Sequence, residues 1–323
     1  MNRSLLAAVV AIAEAGLPSS QQAPVFTTRA EAVAVDVSVR DGKRPISGLV
    51  AADFEILDNG LRQTVVSVTR GEVPLDVTLI VDVSNSMGTP DLGFFVRAES
   101  SGESWLAGGI KAMGALLRGT DRLEILAAAS RVRRVEPVSG QWRVGPPGDD
   151  EKAGHSSLFD AVVAASVLPT QPGRRRFIVA LTDGLDTTSA VPLASRADVM
   201  DRSDSVVLFI ILGRRPGLGG PPSATNCNPQ NRSADAILIK QGCGERAWLF
   251  RDLAARTGGR VLFSVTERDF IPALQQVVDE FRSRYVLTFV PTGVAASGWH
   301  TIEVSIRGRT NYEVLARRGY WRD

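Results

Sequence analysis

Between Pro74 and Arg284 the chain alternates continuous apolar runs with amphipathic segments, and this alternation restricts the fold more than any other feature. The apolar runs are VTLIVDVS, RLEILAAAS, RRFIVALTDG, SVVLFIILG and RVLFSV. Runs that are apolar at successive positions predict strands buried on both faces of a sheet. The segments between them, such as WLAGGIKAMGALLRG and PALQQVVDEFRSR, have the spacing of helices. The pattern predicts an α/β fold with a doubly wound, mostly parallel sheet.

The two flanks of this region have a different pattern, in which apolar and polar residues alternate with period two. Before Pro74 the alternating runs are AVAVDVSVRDGKRPISGL and ADFEILDNGLRQTVVSVTR, and the second contains the hairpin signal Asn59-Gly60. After Arg284 the runs are YVLTFVP, HTIEVSIRGR and YEVLARRGYW. Neither flank has enough strands for a core of its own. We therefore predict one small antiparallel β domain, built from residues 29–72 and 284–323, beside an α/β domain at 74–283.

The amino end is typical of a secretory signal peptide. Arg3 precedes an apolar run over residues 5–13, which is too short to span a bilayer, and Ala13-Glu14-Ala15 fits a small-x-small cleavage pattern. We predict a signal peptide at 1–15, a flexible lead-in at 16–28, and export to the periplasm, cell envelope or medium. A short anchor and a misassigned start codon are the alternatives. The mature chain is expected to have no transmembrane span.

A long insertion, residues 213–245, follows the strand SVVLFIILG and holds both cysteines, Cys227 and Cys243. In an exported chain such a pair predicts a disulfide, which would close a loop of about 15 residues. Because the insertion leaves the carboxyl end of a parallel strand, we expect it on the face where such sheets bind ligands. Arg214 and Arg215 are predicted to supply positive charge to a partner surface there. A tolerated surface insertion is the alternative.

Polar side chains follow two of the predicted strands at their carboxyl ends. VTLIVDVSNS ends on Asp-x-Ser-x-Ser, from Asp82 to Ser86, and RRFIVALTDG ends on Asp183. A third loop, GHSSLFDA, places Ser156 and Ser157 just before a helix. The carboxyl ends of parallel strands meet at one edge of a sheet, so the three loops should converge. All the donors are oxygens, which favours Mg²⁺ or Mn²⁺, ranks Ca²⁺ lower and disfavours zinc.

The three motifs together resemble the metal-ion-dependent adhesion site of the von Willebrand factor type A domain, whose sheet is Rossmann-like. The motifs are Asp82-x-Ser84-x-Ser86, a hydroxyl before a Leu-x-Asp-Ala helix start, and Thr182-Asp183-Gly184. The resemblance covers about residues 75–280. The flanks resemble those of the related bacterial proteins of Acidobacteria-type genomes, in which a "GL.A.DFE.L.NG..Q" segment precedes the domain and a "YVL.F.P…GY" segment follows it.

The resemblance implies a ligand set for the metal. In such domains the two serines coordinate the ion directly, and the first aspartate acts largely through water and by orienting the serines. Carried over, the set is Asp82, Ser84, Ser86, Ser156 and Asp183. The family usually has threonine where Ser156 stands, and serine keeps the oxygen but loses the methyl group that restricts the rotamer. Ser157 is the alternative for that position.

Composition and isolated residues argue against two other functions. The chain carries 37 Lys and Arg against 35 Asp and Glu, without a basic stripe that interleaves aromatics, so we expect no nucleic-acid partner. A Ser-His-Asp hydrolase is disfavoured because there is no G-x-S-x-G elbow, so we expect His155 to be a solvent-facing loop residue and His300 to be structural. Asp186 and Thr187 are expected to be ordinary loop polarity, with a supporting role for the site as the alternative. Asp160 is expected to cap its helix or to orient a neighbouring loop.

The predicted ligand set also suggests a function. Few of the ligands are charged, so the ion would stay electrophilic and an open position would accept a carboxylate from a partner. We predict an exported, non-enzymatic, metal-dependent protein-binding or adhesion module that recognises an exposed Asp or Glu on a partner protein. A metal-dependent hydrolase and a structural envelope module with a vestigial site are the alternatives.

Overall fold

The computed structural model describes residues 32–42, 44–71, 73–84, 87, 105–138, 141–142, 155–169, 171–212, 248–265 and 267–322. The predicted signal peptide and lead-in lie outside these residues. In chain order the strands are β1 (Val33–Asp41), β2 (Arg44–Pro45), β3 (Phe54–Asp58), β4 (Leu61–Gln63), β5 (Val65–Arg70), β6 (Leu75–Asp82), β7 (Arg122–Ala128), β8 (Val132–Val135), β9 (Pro137–Val138), β10 (Gln141–Trp142), β11 (Arg175–Thr182), β12 (Val206–Leu212), β13 (Val261–Val265), β14 (Tyr285–Phe289), β15 (Gly298–Ile306), β16 (Glu313–Leu315) and β17 (Gly319–Arg322). The α-helices are α1 (Trp105–Leu116), α2 (Leu158–Val167), α3 (Leu193–Arg202), α4 (248–256) and α5 (Glu267–Ser283).

Six strands form the central sheet, in the spatial order β13-β12-β11-β6-β7-β8. The neighbours from β13 to β7 pair in parallel, and β8 pairs antiparallel to β7. All seven residues of β12 are buried, as the continuous apolar run predicted for a strand covered on both faces.

Helices cover both faces of this sheet, because successive strand side chains point to opposite sides. Leu79 and Val81 of β6 belong to one hydrophobic cluster with residues of α1 and α5. Ile80 belongs to a second cluster with residues of α2, α3 and α4. The predicted α/β fold with a mostly parallel sheet is therefore confirmed.

Helix α5 begins earlier than the sequence pattern indicated. The segment with helical spacing, PALQQVVDEFRSR, starts at Pro272. The helix instead begins at Glu267, and Pro272 lies inside it. Phe270, in the first turns, is 1% exposed, and α1 approaches it so closely at Gly109 that a Cβ there would lie 2.1 Å from the Phe270 ring. Packing against α1 therefore extends the helix ahead of the proline.

Two antiparallel sheets combine strands from both flanks of the sequence. One has the order β16-β1-β14-β5, with β2 paired to β1, and the other has the order β17-β15-β3-β4. β1 pairs with β14 through Val35↔Leu287, and β3 pairs with β15 through Ile56↔Val304. Apolar side chains from both sheets form a third hydrophobic cluster. The domain boundaries near residues 73 and 284 stay a prediction.

The hairpin signal Asn59-Gly60 connects β3 to β4 as expected. Asn59 has φ 48° and Gly60 has φ 79°. Two consecutive residues in the left-handed region are the requirement of a type I′ turn, which matches the twist of a two-residue hairpin.

A buried arginine joins the antiparallel sheets to the α/β segment. Arg284, fully buried between α5 and β14, donates from Nε to Asp36 Oδ1 of β1 at 2.5 Å. It also donates from Nη2 to the Gly258 carbonyl at 2.7 Å and the Leu315 carbonyl at 3.3 Å. Its Nη1 lies 3.4 Å from Glu280 Oε1 of α5. One guanidinium thus contacts four separate parts of the chain.

We expect Arg284→Met to lower the free energy of unfolding by about 2–4 kcal/mol, because it removes one cation from the buried carboxylate of Glu280 and the side-chain donor from the Gly258 and Leu315 carbonyls. The carboxylates keep other partners, since Asp36 still pairs with Arg175, and Glu280 with Arg40 and Arg260. The matched control is Arg62→Met, since Arg62 pairs with Glu55 but its side chain is 59% exposed. That control should lower the free energy of unfolding by less than about 1 kcal/mol. Urea unfolding of both variants measures the difference, and equal losses would contradict the importance given to Arg284.

Candidate metal centre

The candidate site lies at the carboxyl edge of the central sheet. Asp82 is the last residue of β6, Thr182 is the last residue of β11, and these two strands are parallel neighbours. Parallel pairing of Val81 with Leu181 brings the two strand ends to the same level. Ser156, just before α2, reaches the same edge.

Asp82 collects hydrogen bonds from each of the three segments. Its Oδ2 accepts a hydrogen bond from Thr182 Oγ1 at 2.8 Å and another from Ser156 Oγ at 3.1 Å. Its Oδ1 accepts a hydrogen bond from the backbone N–H of Ser84 at 3.0 Å. Asp82 has no exposed surface, and the other three residues are at most 2% exposed. The structure therefore brings Asp82, Ser84 and Ser156 together, as the sequence predicted.

Asp183 lies directly after Thr182 and is 1% exposed. Its Oδ1 accepts a hydrogen bond from the backbone N–H of Leu185 at 3.0 Å, which holds the start of its loop in a turn. The site therefore has two buried carboxylates, from Asp82 and Asp183, on adjacent parallel strands.

The loop after Asp183 fixes the position of Ser156. The backbone N–H of Ser156 donates to Thr187 Oγ1 at 2.9 Å. The Ser156 carbonyl accepts from the backbone N–H groups of Thr187 and Thr188, at 2.9 and 3.0 Å. From the other side, the backbone N–H of Ser157 donates to the Ala129 carbonyl at 2.7 Å. Ser156 is thus held by backbone contacts that do not use its hydroxyl.

Asp160 orients this neighbouring loop, which was one of its two expected roles. Its carboxylate accepts backbone hydrogen bonds from Ala190 at 2.8 Å and Val191 at 3.0 Å. Asp186 also contacts α2, because its Oδ1 accepts from the backbone N–H of Phe159 at 3.5 Å. Asp186 and Thr187 therefore have the supporting role that was the alternative, because both connect the loop to the start of α2.

The electrostatics of the site favour a cation. Burial of Asp82, followed by the negative charge of Asp183, raises the pKa of the Asp82 carboxyl to about 7, and hydrogen bonds from Ser84 and Thr182 oppose this rise. Ordinary aspartates titrate near pH 4. Two carboxylates that repel each other in a buried site are stabilised when a positive ion lies beside them.

Two further observations fit a divalent ion bound through oxygen. The hydroxyl of Ser157 is buried and has no hydrogen-bond partner, so one oxygen at this edge is left over. Ser156 and Thr182 donate hydrogen bonds from their hydroxyls to Asp82, and Thr182 Oγ1 also accepts one from the Gly184 N–H, which leaves at least one oxygen lone pair on each hydroxyl. Within the described ranges no three or more His, Cys, Asp or Glu side chains are grouped so that they could hold a metal ion, so a cation here would depend on hydroxyl ligands.

Several predicted residues lie outside the described part of the chain, and the two histidines were predicted not to belong to the site. The first group is Ser86, Arg214, Arg215, Cys227 and Cys243. His155 is exposed, as expected. His300 is fully buried in β15, where Nδ1 lies 2.8 Å from Asp58 Oδ1, which is a structural environment.

Sequence reasoning did not include Thr182 in the predicted ligand set, and it gave Thr187 a supporting role only as the alternative. Thr182 stands in the Thr-Asp-Gly triplet, but as the last residue of an apolar strand it carries no signal of its own. Thr187 acts through one loop-to-loop contact, with Ser156, and this approach depends on the fold.

Comparison with known proteins gives structural matches only. No family model matches the chain, and no curated protein matches it. Solved structures that match include a von Willebrand factor type A protein from Catenulispora acidiphila, at 10% identity and TM-score 0.43, over 92% of this chain and 76% of that one. BatB from Bacteroides thetaiotaomicron matches at 15% identity and TM-score 0.40, over 64% and 98%.

Proximal thread matrix protein 1 from the mussel byssus matches at 12% identity and TM-score 0.41, over 65% of this chain. The match covers 49% of that chain, so the present chain spans about half of its length. Von Willebrand factor type A proteins, the family that the three motifs resemble, are among the matched structures. The α/β assignment itself rests on the strand order described above.

Among the described residues, no helix combines the length and the apolar character that crossing a membrane requires.

Asp82→Asn tests the electrostatics of the site. Because the folded pKa of about 7 exceeds the unfolded value of 3.8, the stability contributed by protonated Asp82 is fully present below pH 3.8 and is lost as pH rises through 7. Asparagine does not titrate. In EDTA, the free energy of unfolding of the variant should therefore rise relative to that of the wild type between pH 4 and pH 8, by no more than about 4 kcal/mol. Urea unfolding at both pH values measures this gain, and parallel pH dependence of the two proteins would contradict it.

Proposed function

We propose that this chain is an exported, metal-dependent protein-binding module, built on a doubly wound sheet, with a cation site centred on Asp82. The observation that carries the proposal is the oxygen cluster in which Asp82 and Asp183, both buried, share one sheet edge with the hydroxyls of Ser156 and Thr182. Export is inferred from the amino-terminal sequence pattern.

The residues of the proposed site divide into metal ligands and a residue that orients them. Ser84, Ser86 and Ser156 supply hydroxyl oxygens, and Asp183 supplies a carboxylate. Asp82 orients the hydroxyl of Ser156 by accepting its hydrogen bond, with 3.1 Å between Oγ and Oδ2. An all-oxygen set suits Mg²⁺ first and Mn²⁺ second. When bound, such an ion supplies an electrophilic position that accepts a carboxylate oxygen.

The proposed partner is a protein that presents an Asp or Glu side chain. With two carboxylates in the proposed set, a divalent ion keeps enough attraction for an external anion, and a charge-assisted contact in a buried cleft adds specificity. A hydrolase would need a proton acceptor beside the ion. The chain has two histidines, of which His155 is exposed and His300 lies in β15, paired with Asp58. We therefore propose a binding role and no catalysis.

Calorimetric titration of Mg²⁺ and Mn²⁺ tests the metal site. We expect saturable binding by the wild type and at least a tenfold loss of affinity in Asp183→Asn, which keeps the side-chain shape but removes the charge. Asp204→Asn is the matched control, since Asp204 is a carboxylate at the start of β12, away from the site, with its side chain 95% exposed. The control should bind as the wild type does.

The same titration separates the two adjacent serines. Ser156→Ala should weaken metal binding, because the Ser156 hydroxyl contacts Asp82, whereas Ser157→Ala should weaken it less. A larger loss in Ser157→Ala would transfer the ligand role to the unpartnered Ser157 hydroxyl. Absence of metal binding in the wild type would leave the structural envelope module with a vestigial site as the better description.

Partner binding should depend on the metal. Immobilised wild-type chain is expected to retain a protein from an envelope extract in Mg²⁺ and to release it in EDTA, whereas Asp183→Asn retains none. Substituting the partner's exposed Asp and Glu residues by Asn and Gln, one at a time, should identify one carboxylate on which binding depends. Retention that is unchanged in EDTA would contradict the metal-dependent mode.

A further inference from the structure

A cavity of about 740 Å³ lies at the amino edge of the central sheet. Residues at the starts of β11 and β12 line one side of it, and residues of β1, β14 and β17 line the other. β11 has eight residues, so about 25 Å of strand separates this cavity from Asp183. Pockets that bind small molecules have volumes of about 300–1,000 Å³. The cavity therefore has the size of a ligand site and is distinct from the candidate metal centre.

Arginine dominates the charged lining of this cavity. Six arginines face two aspartates. The charged lining residues are Arg174, Arg175, Arg176, Arg202, Arg317, Arg322, Asp36 and Asp204. The net charge of the whole chain is only +2, so positive charge is concentrated at this cavity.

Carboxylates compensate only part of this charge. Three arginines have close carboxylate partners, in the pairs Arg174–Asp76 at 2.5 Å, Arg175–Asp36 at 2.6 Å and Arg317–Asp204 at 2.7 Å. A fourth pair, Arg202–Asp198 at 3.3 Å, is about half exposed on both sides, and such exposed pairs contribute little.

The remaining two arginines bond to carbonyl oxygens. Arg176 donates to the carbonyls of Ser166, at 2.9 Å, and Leu168, where α2 ends. Arg322 donates to the Ala295 carbonyl at 3.2 Å. Within the described chain neither of them forms an ion pair, so their charge is available to a ligand. Guanidinium groups are well suited to phosphate and sulfate because their N–H donors match the spacing of the anion's oxygens.

Burial adds to the demand for an anion. Loss of solvent lowers the pKa of Arg175 below its ordinary value, against the opposing charge of Asp36, and the nearby positive charge of Arg284 acts in the same direction as burial. Burial also lowers the pKa of Arg176, and the negative charges of Asp76, Asp204 and Glu124 oppose this shift. An anion beside these side chains would offset part of the cost of their burial.

An aromatic ring lies in the same cavity wall. Trp321 is 39% exposed, and the Arg202 guanidinium lies 4.0 Å from the centroid of its ring. An exposed indole beside a cluster of arginines offers a flat apolar surface next to anion-binding donors.

We propose that this cavity binds a small organic oxyanion, a phosphate or sulfate ester whose charged group meets Arg176 and Arg322 and whose organic part lies against Trp321. The site goes beyond the proposed metal-dependent function and does not depend on it. Since its walls come from both the antiparallel sheets and the α/β segment, the ligand also stabilises their contact.

Calorimetric titration with phenyl phosphate and phenyl sulfate tests this proposal, on the full chain and in EDTA, so that the metal site plays no part. One ligand per chain should bind, and binding should raise the unfolding temperature. Binding of phenyl phosphate alone assigns the site to phosphate esters, binding of phenyl sulfate alone assigns it to sulfate esters, and equal binding assigns it to both.

The deciding variant is Arg176→Gln/Arg322→Gln, which removes the two cavity charges that the proposal assigns to the ligand's anionic group. Its matched control is Arg62→Gln/Arg134→Gln, which removes two charges at residues whose side chains are 59% and 61% exposed and do not line the cavity. We expect at least a tenfold loss of affinity in the first double variant and less than a twofold change in the second. If the first does not fold, Arg322→Gln alone replaces it, with an expected loss of at least threefold. Absence of saturable binding by the wild type, or equal losses in both double variants, would overturn the proposal.

Discussion

Arg284 is the residue through which the antiparallel sheets and the α/β segment hold each other. A guanidinium without exposed surface needs its charge and its donors matched inside the protein, and Arg284 finds these partners in Asp36, Glu280 and two carbonyls. The α/β segment leaves the antiparallel sheets after β5 and returns at β14, so both of its ends are fixed at this junction. Arg175, the first residue of β11, pairs with the same Asp36. The junction therefore occupies the amino edge of the central sheet, and the carboxyl edge with Asp82 lies at the opposite end.

Asp82 has the equivalent role at that opposite edge. Its two oxygens accept hydrogen bonds from Ser84, Ser156 and Thr182, which belong to three segments far apart in sequence. An apolar side chain would fill the space but would leave these donors unsatisfied, and the cost of unsatisfied buried donors is about 1–3 kcal/mol each. A lysine would satisfy the charge of Asp183 but would remove the acceptor. A carboxylate organises the loops and, because it is itself poorly compensated, leaves the edge with a demand for positive charge.

The sequence was informative wherever one short segment carries its own physical constraint. The apolar runs of β6, β11 and β12 predicted a buried parallel sheet, and Asn59-Gly60 predicted its turn because few residue pairs adopt two positive φ angles. Asp82 and Ser156 were predicted as neighbours because their motifs end or begin elements that share a sheet edge. The helical pattern of α5 covered only the part from Pro272 onward, since the turns before it depend on Phe270 packing against α1. The supporting role of Thr187 was only an alternative and the arginine cavity was not predicted, because they arise from the approach of segments separated by 31 residues in one case and by more than 100 in the other.

The two ends of the central sheet consequently differ in electrostatic character, and β11 runs between them with arginines at its start and Thr182 at its end. Coupling between distant sites requires an element with two arrangements, each preferred by one ligand. β11 pairs on both sides, with β6 and with β12, and seven of its eight residues are buried, so one displaced residue would break two ladders. A strand held in this way fixes the positions of the residues at its two ends and does not change between two arrangements. The cation site and the arginine cavity should therefore act independently, each set by its own loops and side chains, on a sheet that keeps the same arrangement in both cases.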